Sequence, residues 1–410
     1  MDLTYSAQDE TFRGEVRDWL GEHLSGDFAE LRGKGGPGRE HEAFEARVDW
    51  DRHLAASGWT CLGWPEQYGG RELSLLRQVI FHEEYAKANA PARVSHIGEE
   101  LLGPTLIAFG TDEQKTRFLP GIKSVSELWC QGYSEPDAGS DLAAVATRAR
   151  LDPSAGSGQA ASWVVDGQKV WTSLAHVADW CFVLARTEPG STRHVGLSYL
   201  LVPMNQDGVE VRPIEQLTGT SEFNEVFFDG ARTDSTMVVG EPGEGWRVAM
   251  GTLGFERGVS TIGQQVGFAR ELDGVVAMAR ENGTIDDPMV QDRLVQARMG
   301  LGVMRLHALR TLTGSDATAA SISKLVWANW HRGLGELAME VAGASSMVEH
   351  SSAQSSAQSS AQSSAHEDAT YDLDEWQRLF LFSRADTIYG GSNEIQRNII
   401  SERVLGLPKT

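Results

Sequence analysis

A glutamate followed by an arginine, in a stretch of helical apolar periodicity, is the first candidate for chemistry in this sequence. The segment GFERGVS, residues 254–260, carries Glu256 and Arg257. Apolar residues such as Val248 and Ile262 surround it at helical spacing. A carboxylate partly buried by such neighbours has a raised pKa, which suits a general base. A glutamate on a helix is more often solvated, so this pattern alone leaves both interpretations open.

Two segments further upstream bring polar groups together. In YSEPDAGSDLAAV, residues 133–145, a tight turn around Gly139 converges several backbone N–H groups with the hydroxyl of Ser140. Such a nest can hold an anion or the edge of a polar heterocycle. KVWTS, residues 169–173, sets Trp171 beside two hydroxyls at a predicted strand end. Taken singly, an ordinary loop and a packed tryptophan are the simpler interpretations.

Two glycines follow a tyrosine near the C-terminus, in IYGGSNEIQR, residues 388–397. Gly390 and Gly391 indicate that the backbone bends sharply or that another group approaches it closely. A short helix is predicted to begin directly after them, at Ser392 or Asn393.

A second glycine pattern, a formal G-x-G-x-x-G, occurs at Gly33, Gly35 and Gly38. It follows a helical stretch, and Pro37 would obstruct a dinucleotide-binding turn. The fingerprint requires a strand before it and a helix after it. We therefore interpret this segment as a loop between helices.

Composition restricts the classes of protein to which the chain could belong. Its 410 residues, 41% hydrophobic and 23% charged, predict two or three compact units. The polar N-terminus resembles neither a secretory signal nor a transit peptide, and no apolar run is long enough for a membrane span, so a cytoplasmic protein is expected. A net charge of −21 disfavours nucleic acid as a partner. The three widely spaced cysteines, with no C-x-x-C or H-E-x-x-H pattern, predict neither a disulfide framework nor a metal site.

The periodicity of apolar residues changes twice along the chain. Helical patterns fill residues 1–127, and Thr111 is a candidate N-cap. Short strand-like runs fill residues 128–240, predicting a mostly antiparallel β-domain in which Asp166-Gly167 is a hairpin turn. Helical patterns return in residues 241–410. Within them an SSAQ repeat, residues 351–366, has almost no apolar volume and is predicted to be a flexible low-complexity loop.

Five motifs, in this order, resemble those of the acyl-CoA dehydrogenase family over essentially the whole chain. They are WPEQYGG (64–70), SEPDAGSD (134–141), KVWTS (169–173), EFNEVFF (222–228) and IYGGSNEIQRNIISERVLGLP (388–408). The resemblance implies an α+β multidomain fold: an N-terminal helical domain, a middle antiparallel β-domain and a C-terminal helical bundle. It also implies FAD bound between the domains, and assembly as a homodimer or homotetramer.

The family's reaction is α,β-dehydrogenation of an acyl thioester, in which a carboxylate removes the α-proton and the β-hydrogen leaves as hydride to flavin N5. In most members the residue after the tyrosine of the last motif is the catalytic glutamate, whereas this chain has Gly390. Some members carry the base just before an arginine on a C-terminal-domain helix, and Glu256 with Arg257 falls there. The resemblance thus implies Glu256 as base, Arg257 as its electrostatic support, and the Gly390 N–H as a donor to the thioester oxygen.

The remaining site residues are carried over from the family by position. Those implied to bind the cofactor are Gln131, Tyr133, Ser134, Gly139, Ser140, Trp171, Thr172, Ser173, Arg280, Glu340, Gly343, Ser392 and Glu394. Those implied to bind substrate are Ser140, Asn224, Phe255, Tyr389, Gly390 and Arg397.

Three departures from the family pattern lie where the family binds FAD across the boundary between subunits. ENGTIDDP follows Arg280 where the family has Phe-Gly two residues on, Glu340 stands where glutamine is common, and Gly343 is followed by alanine instead of glycine. Similar departures occur in members that pair with a different subunit, so a hetero-oligomer is a further expectation.

The resemblance implies an acyl-CoA substrate and electron transfer flavoprotein as the electron acceptor. Three alternatives stay open at this point. On the same fold the chain could be a carrier-protein-bound acyl dehydrogenase or a flavin monooxygenase. It could also be a non-catalytic subunit of a heteromeric dehydrogenase.

Overall fold

Two compact units are distinguished by the internal contacts of the chain. The computed structural model describes residues 5–153, 161–255, 260–313, 319–348 and 373–408. One unit comprises Gln8–Glu215 and Ser221–Ser260, and the other consists mainly of Thr261–Thr410. The SSAQ repeat at 351–366 lies outside the described residues.

Helices form the N-terminal part of the first unit. They are α1 (Ala7–His23), α2 (Phe44–Ala56), α3 (Leu75–Lys87), α4 (Gly103–Phe109) and α5 (Asp112–Ser124), with a π-helical turn, Ile97–Leu102, leading into α4. α1 buries Phe12, Val16 and Leu20, spaced four residues apart on one face. The predicted cap of α5 is confirmed, because the Thr111 hydroxyl accepts from the N–H of Gln114 while the Gln114 side chain accepts from the N–H of Thr111.

A mainly antiparallel sheet follows, as predicted. Its strands in the described part of the chain are β1 (Trp129–Gly132), β2 (Arg148–Asp152), β3 (Ser162–Ser173), β4 (Trp180–Arg186), β5 (Leu197–Pro203), β6 (Val209–Ile214), β7 (Phe223–Asp234) and β8 (Val238–Val239). The spatial order is β6-β7-β3-β2-β4-β5-β8, and β1 lies beside β4. Among these strands the parallel pairs are β1 with β4 and β2 with β4.

The hairpin predicted at Asp166-Gly167 is wrong. Both residues lie inside the continuous strand β3, next to a β-bulge that follows Val165 in its pairing with β7. Gly167 has φ 153°, and a Cβ there would lie 2.5 Å from the Thr147 hydroxyl oxygen. Close approach of Thr147 therefore requires the glycine, and long-range pairing with β7 overrides the local turn signal.

Buried side chains cover both faces of β4 and β5, which explains their uninterrupted apolar sequences. On one face Phe182 and Tyr199 pack with Phe118 of α5. On the other face Val183 and Leu200 pack with side chains of β3 and β7. The two central strands are thus packed on both faces.

The C-terminal part of the chain is helical, as predicted. Its helices are α6 (Gly245–Phe255), α7 (Ser260–Glu281), α8 (Pro288–Thr313), α9 (Ala319–Ala342), α10 (Glu375–Asp386) and α11 (Asn393–Ile399). Ser392 caps α11 by accepting from the N–H of Ile395, so the predicted helix start is confirmed. Leu272 of α7, Leu294 of α8 and Leu337 of α9 belong to one buried cluster. None of the helices in the described ranges has the length and apolarity that crossing a membrane requires.

Candidate active site

The segment after β1 runs alongside the end of β3, so two of the predicted motifs meet. The N–H of Val170 donates to the Ser134 carbonyl over 2.9 Å. The buried Lys169 ammonium donates to the carbonyls of Tyr133, over 3.1 Å, and Leu184, over 2.8 Å. The chain from Gln131 to Ser134 is thereby held against the strand that ends in Trp171, Thr172 and Ser173.

The turn after Ser134 is closed by its own backbone. Glu135 and Ala138 exchange N–H···O hydrogen bonds of 3.1 and 3.0 Å, and beyond them Gly139 and Ser140 are exposed. The Tyr133 ring, by contrast, is buried and lies nearly perpendicular to the rings of Phe182 and Tyr199. The turn thus leaves Gly139 and Ser140 accessible, while the tyrosine ring packs in the core.

Trp171 projects from the sheet instead of packing into it. Its backbone has φ +59°, a left-handed conformation that is uncommon for a bulky residue, and its side chain is 58% exposed. The ring of Phe223 approaches edge-on at 6.2 Å. The structure thus turns the indole outward, where it offers a flat apolar surface.

Two buried polar atoms beside Trp171 have no hydrogen-bond partner among the described residues. They are the hydroxyl oxygen of Thr172 and the amide oxygen of Asn224. The two residues lie opposite each other in β3 and β7, and the Asn224 amide nitrogen donates to the Thr172 carbonyl over 3.0 Å. Buried polar atoms are nearly always satisfied, so this pair points to a ligand with hydrogen-bonding groups at its edge.

A second group of predicted residues lies in the other unit, in the loop between α10 and α11. Gly390 has φ +60° and Gly391 φ +89°, so the backbone turns through left-handed conformations that glycine adopts readily. The side-chain amide of Gln396 donates to both glycine carbonyls, over 3.1 and 3.4 Å. The phenol of Tyr389 donates to the carboxylate of Asp386 over 2.6 Å. The loop is therefore held from both ends.

The other predicted residues of this unit are mostly at its surface. Arg280 is exposed near the end of α7, and Glu340 forms an ion pair with Arg293 of α8. Gly343 has φ +60° and begins a 3-10 turn after α9. Glu394 and Arg397 are exposed and lie 3.5 Å apart on α11. Glu340 is thus already paired with a neighbouring helix, in keeping with its departure from the family pattern.

The predicted base and its arginine, Glu256 and Arg257, lie outside the described residues. Phe255, predicted to touch substrate, ends α6 and is 38% exposed. The roles assigned to Glu256 and Arg257 therefore rest on the sequence resemblance alone.

Glu222 was missed as an anchoring residue. Its carboxylate accepts from the N–H groups of Gly38 and Glu40, both over 3.0 Å, and so ties down the glycine-rich segment after α1. Glu222 also lines a cavity of about 250 Å³, together with His176 and other side chains. No local pattern links Glu222 to a segment more than 180 residues earlier.

Comparison with known proteins finds matches to one family along nearly the whole chain. Models of the acyl-CoA dehydrogenase N-terminal, middle and C-terminal domains match residues 6–126, 130–231 and 243–405. The protein named acyl-CoA dehydrogenase IpdE1 of Mycolicibacterium smegmatis is 61% identical over 401 residues, which is 97% of each chain.

Two solved structures show the same fold at 28% identity, each matched over 100% of both chains. One is the Tcur3481-Tcur3483 steroid ACAD, with a TM-score of 0.81. The other is the ChsE4-ChsE5 complex from Mycobacterium tuberculosis, with a TM-score of 0.76.

Agreement across all three parts places the protein among the flavin-dependent oxidoreductases. Within that class, the chain belongs to the acyl-CoA dehydrogenase family, and it is an FAD-dependent acyl-CoA dehydrogenase. The site in the first unit fits this cofactor. The exposed Trp171 ring can cover a flat ring system, and the unpartnered oxygens of Thr172 and Asn224 can meet polar groups at its edge.

Proposed function

We propose that this chain removes the α- and β-hydrogens of a bulky acyl-CoA thioester, with Glu256 as the base. The observation that carries the proposal is the loop at Gly390. The position that bears the usual family glutamate has no side chain here, yet its backbone N–H remains in a loop held by Asp386 and Gln396. The base must therefore be another residue, and in sequence Glu256 falls at the position where some family members carry it.

The residues of this chain have two tasks in the reaction. An α-C–H next to a thioester is a very weak acid, so its removal needs a base within hydrogen-bonding reach and donors on the thioester oxygen. Glu256 takes the α-proton, and Arg257 favours the charged form of the base. The Gly390 N–H donates to the thioester oxygen as negative charge develops there. Bound FAD would supply the acceptor for the β-hydrogen, as hydride, at N5, and a ribityl hydroxyl as a second donor to the thioester oxygen.

The substrate that we propose is a steroid-derived acyl thioester. Loss of the glutamate side chain at Gly390 leaves room for a bulky or α-branched acyl group next to the reacting carbons. A structural relative of 28% identity is described as a steroid ACAD. The missing side chain at Gly390 and the substrate class in the relative's name thus both support a bulky acyl group.

We also propose that the chain works in a hetero-oligomer and passes electrons to electron transfer flavoprotein. Both structural relatives at 28% identity, Tcur3481-Tcur3483 and the ChsE4-ChsE5 complex, are named for two components. In this chain α8 exposes Val295, Met299, Val303 and Leu306, each more than half exposed. Their spacings of four, four and three place them on one helical face, which suits a subunit interface. The ion pair between Glu340 and Arg293 occupies a position implied for gripping the cofactor.

The test is an anaerobic visible spectrum of the purified holoprotein, recorded before and after addition of acyl-CoA thioesters of differing bulk. We expect the flavin band to bleach with steroid-derived thioesters and to change little with short straight-chain ones. Bleaching by short chains alone would refute the substrate class. A flavin that no thioester reduces would refute the proposed reaction.

A further inference from the structure

A chain of three hydrogen bonds in the second unit joins α7, α9 and α10 to the glycine loop. The imidazole of His331 on α9 lies between two carboxylates, with Nε2 2.9 Å from Glu271 Oε2 and Nδ1 2.5 Å from Asp386 Oδ2. The other oxygen of Asp386 accepts from the Tyr389 phenol over 2.6 Å. The Asp386 carboxylate therefore takes part in two of these three contacts. Asp386 ends α10, just before the loop that carries Gly390.

The surroundings of His331 favour its protonated form. The residue is buried, and the ring of Phe268 stacks on it at 4.4 Å. Burial lowers the pKa of His331, but hydrogen bonds and charge from Asp386 and Glu271 outweigh it and raise the pKa to about 9. A further charged group at this cluster is Lys324, whose ammonium donates to the Asp386 backbone carbonyl and lies 5.1 Å from the centre of the Tyr389 ring.

The phenol contact is one of several restraints on this loop, another being the Trp327 ring, which lies 6.3 Å from the ring of Tyr389. The Ala385 carbonyl accepts from the N–H groups of Ile388 and Tyr389, and Gln396 holds the glycine carbonyls. Left-handed glycines have a broad choice of conformations, so these backbone bonds alone do not fix the direction of the next N–H. The phenol bond fixes the residue immediately before Gly390.

We propose that His331 is a positioning residue, which orients the Asp386 carboxylate so that the Tyr389 phenol holds the Gly390 N–H toward the thioester oxygen. An imidazolium with both nitrogens bonded to carboxylates locks the Asp386 side chain. Asp386 can then accept from Tyr389 in one geometry only. Loss of the His331 proton removes one donor, so Asp386 and the loop gain freedom.

The inference depends on the proposed function for its effect on rate, because the donor role of Gly390 belongs to that function. The coupling between His331 and the loop does not depend on it. A backbone amide signal can report the coupling whether or not dehydrogenation occurs, so the two claims fail separately.

The first experiment follows the Gly390 amide of the holoprotein by ¹⁵N NMR between pH 7 and 10. We expect its signal to shift with a midpoint near pH 9, following deprotonation of His331. The shift should vanish in Tyr389→Phe, which leaves His331 and both its carboxylates in place. A Gly390 signal that does not titrate, or that titrates equally in Tyr389→Phe, would overturn the proposal.

The second experiment measures the limiting rate of flavin reduction by a saturating thioester over the same pH range. Tyr389→Phe should lower the rate about tenfold at pH 7.5, since it loses a hydrogen bond to a charged group. The unchanged protein should react more slowly above about pH 9, where His331 loses its proton, and His331→Gln should lack this fall in rate. The matched controls Tyr68→Phe and His194→Gln, both outside this cluster, should keep the rate and the pH profile. If His331 had only a structural role, His331→Gln would lower thermal stability, and Tyr389→Phe would show the same pH profile as the unchanged protein. That result would overturn the proposal.

Discussion

Lys169 and Glu135 form a buried ion pair that joins the two segments proposed to line the flavin. The ammonium lies 2.7 Å from Glu135 Oε1, and the lysine side chain is fully buried. Glu135 also accepts from the N–H groups of Ala146 and Thr147, over 2.6 and 3.0 Å. The pair therefore sets the distance between the turn before Ser140 and the strand end at Trp171.

Lys169→Met should destabilise the protein by about 3 kcal/mol, because it leaves the Glu135 carboxylate buried without its counter-charge. The methionine keeps most of the volume, so little of the loss comes from packing. Urea unfolding of the apoprotein provides the measurement, and Lys34→Met, at an exposed position, is the control expected to change stability by less than about 0.5 kcal/mol. Equal stability of the two variants would show that the pair contributes nothing.

Acid should weaken the protein partly through Glu135. Burial alone would raise the pKa of Glu135, but the charge and hydrogen bond of Lys169, with the Ala146 N–H, hold it below its usual value of 4.5. A depressed native pKa contributes stability that is present above the unfolded pKa and is lost as pH falls through the native value. The difference in unfolding free energy between the unchanged protein and Glu135→Gln should therefore shrink below about pH 4.5. A constant difference would contradict this assignment.

Trp171→Ala should weaken FAD binding without destabilising the apoprotein. The side chain is 58% exposed, so its removal opens no core cavity, while a bound flavin loses a stacking surface. Fluorescence titration of apoprotein with FAD should give at least about a tenfold higher Kd, and Trp171→Phe an intermediate value. Leu75→Ala, also exposed but on α3, should bind FAD normally. An unchanged Kd for Trp171→Ala would remove the indole from the cofactor site.

Val303→Glu should dissociate the assembly, since it places a charge in the centre of the exposed apolar face of α8. Sedimentation velocity of the purified complex should show a smaller species for this variant. Leu151→Glu, which changes an exposed leucine on β2, should sediment like the unchanged protein. If Val303→Glu leaves the assembly intact, the interface lies elsewhere.

Much of the fold was predictable because its signals are local. The Thr111 cap, the helix start after Ser392 and the change from helical to strand periodicity depend on residues close in sequence. The interpretation of Asp166-Gly167 failed because pairing with β7 and the approach of Thr147 decide that backbone. Local turn chemistry could not reveal either.

The candidate site was predictable where motifs recur in the family, and hidden where it depends on long-range contacts. Trp171 and Thr172 were predicted from a five-residue motif, and the structure shows the indole outward and the hydroxyl without a hydrogen-bond partner among the residues described. The two partners of His331, Asp386 and Glu271, are 55 and 60 residues away from it in sequence. A lone histidine on a helix has no pattern that could indicate such partners.

The most direct measurement is the rate of flavin reduction in Glu256→Gln, by stopped-flow mixing with the thioester that bleaches the unchanged holoprotein. A general base contributes on the order of 100- to 10,000-fold, so the variant should be at least about 100-fold slower while still binding FAD. Glu210→Gln, on an exposed strand position, is the matched control and should react at the original rate. Flavin reduction at near-normal rate in Glu256→Gln would show that another group removes the α-proton.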